Sequence, residues 1–275
     1  MKTGKLKRSF TPQDSISKKG YFIIAVCSFL LVFLVWLLLT ELGLVNEKFL
    51  PKPIETLQTG IRLFTENGFL QDIGVTTYRV LLGFLISMVV AVPLGILIGV
   101  YAPIEAFFEP VMSFLRYLPV TAFIPLFILW IGIDEREKVA VIILGTFPQL
   151  LLMVAGDTRK VKHDLIEVSY TLGTNRLNVV WRVVFPAAMP YILDSLRMVL
   201  GWAWTYVTVA EMIGASSGIG YMIIQSQRML NVGKIFVGIL TIGIIGLLFD
   251  FLFKWLSKKP VSYTHLRAHE TGAYL

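Results

Sequence analysis

The sequence predicts an all-α membrane protein with about six transmembrane helices. Three observations predict this fold class: the composition, the long apolar runs, and the basic residues that cluster between them. Of the 275 residues, 56% are hydrophobic and 16% are charged, which is too apolar for an ordinary soluble domain. The formal net charge of +7 does not indicate nucleic-acid binding, because the basic residues form short clusters beside apolar runs. The expected surroundings are a lipid bilayer.

Six apolar runs are long enough to cross the bilayer as helices. They cover about 21–39, 75–100, 111–133, 139–156, 191–213 and 232–256. The first run is longer than the core of a secretory signal and no small-residue cleavage site follows it, so we predict an uncleaved span. The single cysteine, Cys27, lies within this run, which excludes an intramolecular disulfide and a thiolate metal site.

The basic residues also predict the orientation. Both termini and the segment between the fourth and fifth spans are rich in lysine and arginine, whereas the segment after the first span is rich in glutamate. The positive-inside rule therefore places the N- and C-termini in the cytoplasm, with the chain as a multi-pass protein of the plasma or inner membrane. The loop 101–110 fits less well because it contains Glu105 and Glu109 and no basic residue, but acidic residues count for little in this rule.

We predict three segments along the chain. A cytoplasmic N-terminal segment covers 1–20, one transmembrane domain covers 21–256, and a C-terminal tail covers 257–275. From position 261 the tail reads VSYTHLRAHETGAYL, without the apolar period of the spans, and we expect 261–275 to be foreign to the protein. His265 and His269 have the spacing of two ligands on a helix, but a third ligand is not evident nearby, so we predict no metal site.

Glycine is frequent within the predicted spans. The sequence GILIG, from Gly95 to Gly99, has the spacing that lets helix backbones approach closely in lipid. We interpret it as packing between helices of this chain.

The segment EVSYTLGTNRLNVVWRVVFP, at 167–186, is the most polar long stretch between the first and last apolar runs. Apolar side chains fall at helical spacings on both sides of Gly173, which predicts two short amphipathic helices. We predict a rigid helical elbow on the cytoplasmic face at about 163–186. Periodicity alone favours equally an interfacial loop that only joins two spans.

Three positions define the predicted ends of the two short helices. Gly173 suits the left-handed conformation that ends the first helix, and Thr174 or Asn175 can cap the second. Pro186, with Pro190 after it, disfavours simple continuation of the second helix into the next span.

The spacing of this segment resembles the coupling motif of ABC-importer permeases, usually written E-A-A-x3-G-x9-I-x-L-P. Glu167, Gly173 and Pro186 match it at full spacing. The four departures are mild: Val168 and Ser169 replace the alanines, Val183 replaces the isoleucine, and Phe185 replaces the leucine. In that family the elbow docks into a groove on a separate ATP-binding subunit, so the resemblance favours the elbow over the loop. The coupling residues it implies are Glu167, Val168, Ser169, Gly173, Asn175, Arg176 and Pro186.

Further stretches resemble the branch of that family that imports nitrate, aliphatic sulfonates, taurine and related small anions. They are RVLLGFLISMVVAVPLGILIGV from Arg79, LRYLPVTAFIPLFILWIGI from Leu115, FPAAMPYILDSLRMVLGWAW from Phe185 and VAEMIGASSGIGYMI from Val209. The resemblance implies a type I ABC importer permease fold and a homodimer with two ATP-binding subunits and an extracytoplasmic substrate-binding protein. The same branch contains permeases for thiamine-precursor pyrimidines and other small heterocycles, which are the alternative cargo.

The chain lacks the phosphate-binding loop G-x4-G-K-[S/T]. Gly233 and Lys234 are followed by Ile235 and lack the preceding glycine, so no cradle for phosphates is expected at a helix start. We therefore predict that this chain is not an enzyme and binds no cofactor, and that ATP and Mg are held by the partner ATPase.

Polar residues within the spans are the predicted lining of the substrate path. They are Arg116, Thr121, Thr146, Gln149, Thr205, Tyr206, Thr208 and Glu211. Arg116 precedes YLPVTAFIP, whose prolines free backbone groups that could line a passage, and its charge could attract an anion. The alternatives are that Arg116 reaches the interface or pairs internally, for example with Glu211, and that the hydroxyl groups hold spans together.

Two more charged residues near span ends have structural interpretations. We expect Arg197 to reach towards the interface, and Asp250 to pair with Lys254 one turn further on.

A self-contained secondary transporter is the alternative from another class. It should show internal repeats or a buried acidic relay, and the sequence shows neither. A scaffold protein of the membrane would leave the spacing from Glu167 to Pro186 unexplained.

Overall fold

The computed structural model describes residues 16–66 and 68–257, and these residues are helical with short connections. Residues 1–15 of the predicted N-terminal segment 1–20, and residues 258–275 of the predicted tail 257–275 with its two histidines, lie outside the described residues. The chain forms two compact units, divided between Ile61 and Arg62. The all-α fold class is therefore confirmed for the part of the chain that is described.

The first unit contains one long apolar helix. Helix α1 (Lys18–Glu41) begins after Ser17, whose Oγ accepts a hydrogen bond from the Gly20 N–H at 3.1 Å. Its apolar side chains are mostly exposed, as suits a helix that faces lipid. Beyond it, the Glu47 carboxylate accepts a hydrogen bond from the Lys52 ammonium, at an N–O distance of 3.2 Å, and raises the pKa of Lys52 above its ordinary value.

The second unit begins within α2 and contains the other helices. The elements are α2 (Pro53–Glu66), α3 (Phe69–Val100), α4 (Ala102–Tyr117), a 3-10 turn (Val120–Phe123), α5 (Ile124–Ile131), α6 (Glu135–Arg159), α7 (His163–Thr171), α8 (Arg176–Asn178), a π-helical turn (Val179–Val184), α9 (Phe185–Gly214), α10 (Ile219–Arg228) and α11 (Val232–Ser257). Among the described residues, five helices are long and apolar enough to span a membrane, or six if α4 and the helices after it form one bent span. The predicted number of about six agrees with this count.

The predicted third span, 111–133, is broken. Helix α4 already begins at Ala102, so the expected loop 101–110 is helical, and the chain bends by 86° between α4 and the helical residues from Val120. Pro119 explains the break, because a proline pushes the residue before it out of the α-region. Leu118 is accordingly extended, with φ −74° and ψ 136°.

The acidic residues of α4 find a basic partner. Arg159, at the end of α6, pairs with Glu105 at 3.0 Å and with Glu109 at 3.9 Å. These two glutamates, which fitted the charge pattern poorly, therefore lie beside a basic residue on the same side of the bundle. We call the side where α6 ends and α9 begins the elbow end, and the side where α6 begins and α9 ends the far end.

Helices α3 and α6 pack closely along their length, and glycines allow it. A Cβ at Gly95 would lie 2.9 Å from the Leu151 carbonyl oxygen, and one at Gly99 would lie 2.7 Å from the Ala155 carbonyl oxygen. These positions leave no room for a methyl group. The predicted role of the GILIG sequence in packing within the chain is confirmed.

We expect Gly99→Ala to destabilise the protein by about 1–3 kcal/mol, because the new methyl group would press on backbone that cannot yield. Gly74→Ala, on the same helix, is the matched control, since a Cβ there has open space within 4 Å; it should be neutral or slightly stabilising. Thermal unfolding of the purified variants in detergent measures the difference. Equal stability of the two variants would show that α3 and α6 do not touch at Gly99.

Candidate functional site

The first limb of the elbow is helix α7, and it ends as the sequence predicts. The Thr174 N–H donates to the Ser169 carbonyl oxygen at 3.0 Å, and the Gly173 N–H donates to the Tyr170 carbonyl oxygen at 2.9 Å. This pair of bonds is a Schellman motif, which requires a left-handed residue after the helix. Gly173 supplies it with φ +78°.

The second limb does not end before the span. The Asn175 Oδ1 accepts a hydrogen bond from the Asn178 N–H at 2.9 Å, so the predicted cap is confirmed. The expected interruption at Pro186 is wrong, because helix continues from Arg176 to Gly214. The π-helical turn before α9 explains this: the Phe185 N–H bonds five residues back, and Pro186, which has no N–H, falls in the first turn of α9, where none is needed.

The elbow has an exposed apolar surface and a buried root. Leu165, Val168 and Leu172 on the first limb are 46%, 56% and 79% exposed, whereas Val180 and Val184 on the second limb are 1% exposed and lie within the bundle. The limbs pack on each other between α7 and the π-helical turn. The arrangement presents apolar side chains outward from a rigid base.

The predicted coupling residues differ in their exposure to solvent. Glu167 is exposed and pairs with His163 at 3.1 Å, and Asn175, Arg176 and Pro186 are also exposed. Ser169 is buried instead, and its hydroxyl donates to the Leu165 carbonyl oxygen at 2.6 Å.

A hydrogen bond joins the two long helices next to the elbow. The Ser195 hydroxyl of α9 donates to the Asp157 carboxylate of α6. The same carboxylate pairs with Lys160 at 2.7 Å. Both Asp157 and Ser195 are buried, so α6 and α9 are tied at this level.

A cavity of about 450 Å³ lies where the third span is broken. Its walls come from the end of α4, the extended residues after it, the middle of α6 and the middle of α9. Four of the eight predicted path residues line it: Arg116, Thr121, Gln149 and Tyr206. The structure therefore brings half of the predicted set together.

Arg116 has no acidic partner among the described residues. Its Nη2 donates to the Tyr117 hydroxyl at 3.3 Å, and its guanidinium carbon lies 5.1 Å from the centre of the Tyr117 ring. The suggested pair between Arg116 and Glu211 is wrong, because Glu211 pairs with Arg79 at 2.7 Å. The charge of Arg116 is thus open to a ligand.

The other four predicted path residues do not line this cavity. Thr146 is buried and shares a hydrogen bond of 2.8 Å with Ser87, which joins α6 to α3. The Thr208 hydroxyl donates to the Trp204 carbonyl oxygen at 2.6 Å, and Thr205 is exposed elsewhere on α9. Together with the paired Glu211, these residues hold the bundle together or face outward.

Arg79 is a buried charged residue that the sequence interpretation missed, as it missed its partner Glu135. Arg79 is 1% exposed. Its Nε and Nη2 bind the Glu135 carboxylate at 2.6 and 2.5 Å, and its Nη1 binds Glu211 at 2.7 Å. The sequence did contain a signal for this cluster. Arg79, Glu135 and Glu211 all lie near those ends of the predicted spans that face away from the cytoplasm.

The same cluster fixes the turn after α9. The Gly218 N–H donates to Asp72 at 2.7 Å, the Ile219 N–H donates to Thr76 at 2.9 Å, and the Gly220 N–H donates to Glu211 at 2.8 Å. Side chains of α3 and α9 therefore supply the hydrogen-bond acceptors that the backbone N–H groups of this buried turn would otherwise lack.

Asp250 pairs with Lys254 at 2.6 Å, as predicted. Arg197 also binds Asp250, at 3.3 Å, so it has an acidic partner that the sequence analysis did not name, and its reach towards the interface stays a prediction.

The fold is similar to that of solved importers. The methionine ABC transporter MetNI, solved in inward-facing conformations, matches with a TM-score of 0.64 at 18% identity, over 70% of this chain and 95% of that chain. At this identity the likeness concerns the fold alone.

Residues 91–261 match the family described as "Binding-protein-dependent transport system inner membrane component". The chain belongs to this family. A probable ABC transporter permease of Brucella melitensis is 37% identical over 80% of this chain and 88% of its own. A putative aliphatic sulfonates transport permease of Bacillus subtilis is 34% identical over 89% and 87%. The taurine transport system permease of Escherichia coli is 28% identical over 82% and 84%.

Membership in the binding-protein-dependent permeases defines the general role of the chain. It is the non-catalytic, multi-pass inner-membrane component of an ABC importer, and ATP is bound by a separate ATPase subunit. The family also implies a substrate-binding protein as partner. The secondary transporter considered as an alternative does not fit this membership.

Proposed function

We propose that this permease imports a small anionic solute of the nitrate, aliphatic sulfonate or taurine type. It acts as a homodimer with two ATP-binding subunits, and an extracytoplasmic binding protein delivers the solute. The transmembrane domain is assigned to 21–256, with both termini and the elbow end in the cytoplasm. The observation that carries this proposal is the cavity that contains Arg116.

The chemistry of the cavity suits an anion. Arg116 supplies a permanent positive charge with a fork of N–H donors that matches a planar or tetrahedral anion. Thr121, Gln149 and Tyr206 line the same cavity and add neutral donors. One cation with neutral neighbours favours weak, transient binding, which a transport path needs. The relatives named for sulfonates and taurine support the same solute class.

The elbow is proposed as the element that receives movement from the ATPase. Its exposed leucine and valine side chains are a surface for a partner protein, and its buried root connects directly to α9. Closure of the ATPase subunits would move the elbow and alternate the access of the cavity between the two sides of the membrane.

A small heterocycle is the alternative cargo, and one observation favours it. Trp202 and Tyr206 both line the cavity, and aromatic rings can stack on a pyrimidine. Under this alternative Arg116 would be less important than the rings.

Uptake into proteoliposomes tests the proposal. The permease would be reconstituted with its ATPase subunits and its binding protein, and ATP-dependent uptake would be measured for taurine, an alkanesulfonate, nitrate and a thiamine-precursor pyrimidine. Uptake of one of the anions supports the proposal. Uptake of the pyrimidine alone would replace it with the alternative.

We expect Arg116→Ala to weaken anion uptake about ten- to a hundredfold, since a hydrogen bond to a charged group contributes about 1.5–3 kcal/mol. Arg116→Lys should keep part of the uptake, because it keeps the charge but loses the fork. Arg228→Ala is the control, since Arg228 is an exposed arginine that does not line the cavity. Unchanged uptake by Arg116→Ala at low solute concentration would remove Arg116 from the path.

A further inference from the structure

We propose that a cavity beside Arg79 is a second anion site, in which the Glu135 carboxylate occupies the place of an incoming sulfonate or carboxylate group. The cavity has a volume of about 320 Å³ and is lined by Arg79, Asp134, Glu135, Lys138 and Ser216, among others. It lies at the far end of the bundle. We further propose that the imported solute first contacts the chain at this cavity. This part rests on the proposed function, which places the far end outside the cytoplasm.

The two carboxylates on Arg79 differ in their access to solvent. The Glu211 side chain is 0% exposed, whereas the Glu135 side chain is 51% exposed. Glu211 cannot leave the cluster without opening the bundle. Glu135 can rotate into solvent, and the Nε and Nη2 donors of Arg79 then become available to another anion.

The Glu135 pair has the geometry that an anion would use. Nε and Nη2 of Arg79 donate side by side to the two oxygens of Glu135, which is the bidentate arrangement typical of arginine with carboxylates and phosphates. A sulfonate presents oxygens at similar spacing. The buried guanidinium is held in place by Glu211 and by the Ser217 carbonyl oxygen, at 2.7 and 2.8 Å.

Exchange of the two anions requires no movement of the helices. Glycines pack α3 and α6 closely along their length, so Arg79 on α3 and Glu135 on α6 cannot be drawn apart by separating these helices. The rotation of one side chain is the smaller change. It would leave α3, α6 and α9 where they are.

The exchange also leaves the charge in contact with Arg79 unchanged. Lys138, the second cation on the cavity wall, is held by Glu137 at 3.1 Å and by the Gly214 carbonyl oxygen at 2.7 Å. Arg79 with Glu211 and Lys138 with Glu137 form two neutral pairs. Asp134 stays at the rim, where its carboxylate caps the first N–H of α6. A monoanion bound to Arg79 therefore takes the place of the Glu135 charge at the guanidinium, while Glu135 carries its own charge towards solvent.

Removing Glu135 should turn this place into a measurable anion site. Thermal unfolding of the full chain in detergent would be followed for wild type and for Glu135→Ala during titration with sodium methanesulfonate, with sodium chloride as the ionic-strength reference. We expect Glu135→Ala to have a lower Tm than wild type, and methanesulfonate to raise it saturably by about 2–4 °C. Wild type should respond little, because Glu135 competes for the site.

Asp250→Ala is the matched control, because it also removes the carboxylate partner of an arginine, Arg197. If Glu135→Ala does not fold, Glu135→Gln keeps the side-chain volume and removes only the charge. A saturable response confined to the Glu135 variants supports the site. No response, or the same response in Asp250→Ala, overturns it, whatever solute is imported. A response without proteoliposome uptake of taurine, the alkanesulfonate or nitrate supports the site and overturns the proposed solute class instead.

Discussion

Gly173→Val is expected to separate ATP hydrolysis from transport, with uptake about tenfold lower and ATPase activity retained. Gly173 has φ +78° and closes the Schellman motif of the elbow. A residue with a Cβ costs about 1–2 kcal/mol in the left-handed conformation, and β-branched residues resist it most. Since about 1.4 kcal/mol corresponds to a tenfold change in population, the strain shifts the equilibrium about tenfold away from the native elbow. Uptake and ATPase activity would be measured on the same proteoliposomes.

Two controls isolate the conformational cause. A Cβ at Gly173 meets nothing within 4 Å, so steric contact contributes nothing and Gly173→Asn, which tolerates the left-handed region, should keep most of the uptake. Gly43 has φ +66° and equally open surroundings, so Gly43→Val imposes the same strain outside the elbow and should leave coupling intact. Normal uptake by Gly173→Val would mean that the elbow does not transmit the movement.

Arg79→Met is expected to lower the free energy of unfolding by about 3–5 kcal/mol, because it leaves Glu211 as a buried charge without a charged partner. Glu211 is fully buried, and its remaining hydrogen bonds from Thr76 and Gly220 do not neutralise it. Yield in the membrane and thermal unfolding in detergent would both fall. The loss should greatly exceed that of Arg197→Met, since the Arg197 and Asp250 side chains are 28% and 31% exposed and such pairs contribute about 0–1 kcal/mol.

A second substitution should reverse most of this loss. Glu211→Gln removes the buried charge but keeps an oxygen that can accept from Thr76 and Gly220. The double variant Arg79→Met with Glu211→Gln should therefore be more stable than Arg79→Met alone. If the double variant is less stable than either single variant, the stability of the cluster does not depend on the balance of these two charges.

The sequence predicted features that depend on neighbours along the chain. The turn at Gly173 and the cap at Asn175 rest on local chemistry, and both occur in the structure. The continuation of helix through Pro186 was not predictable, because proline rules describe α-helical hydrogen bonds and the turn before it is π-helical.

Contacts between distant residues were the hardest to predict. Arg79 and Glu211 are 132 positions apart, and hydrophobic periodicity says nothing about which charges meet. The cavity of Arg116 was partly predictable, because the prolines after it indicated a break in the span, but the side chains of α6 and α9 that line it depend on how those helices face each other. Charges at the same predicted end of several spans are the signal that could have pointed to the cluster.

The tie between Asp157 and Ser195 has a mechanical consequence. Gln149, on the wall of the Arg116 cavity, lies eight residues before Asp157 on α6, which is a distance of about 12 Å along a helix. Trp202, on the opposite wall, lies seven residues after Ser195 on α9. The hydrogen bond between Asp157 and Ser195 can act as a pivot between α6 and α9. Spreading the two helices at the elbow end would then bring Gln149 and Trp202 closer together, and drawing the helices together there would move these two residues apart.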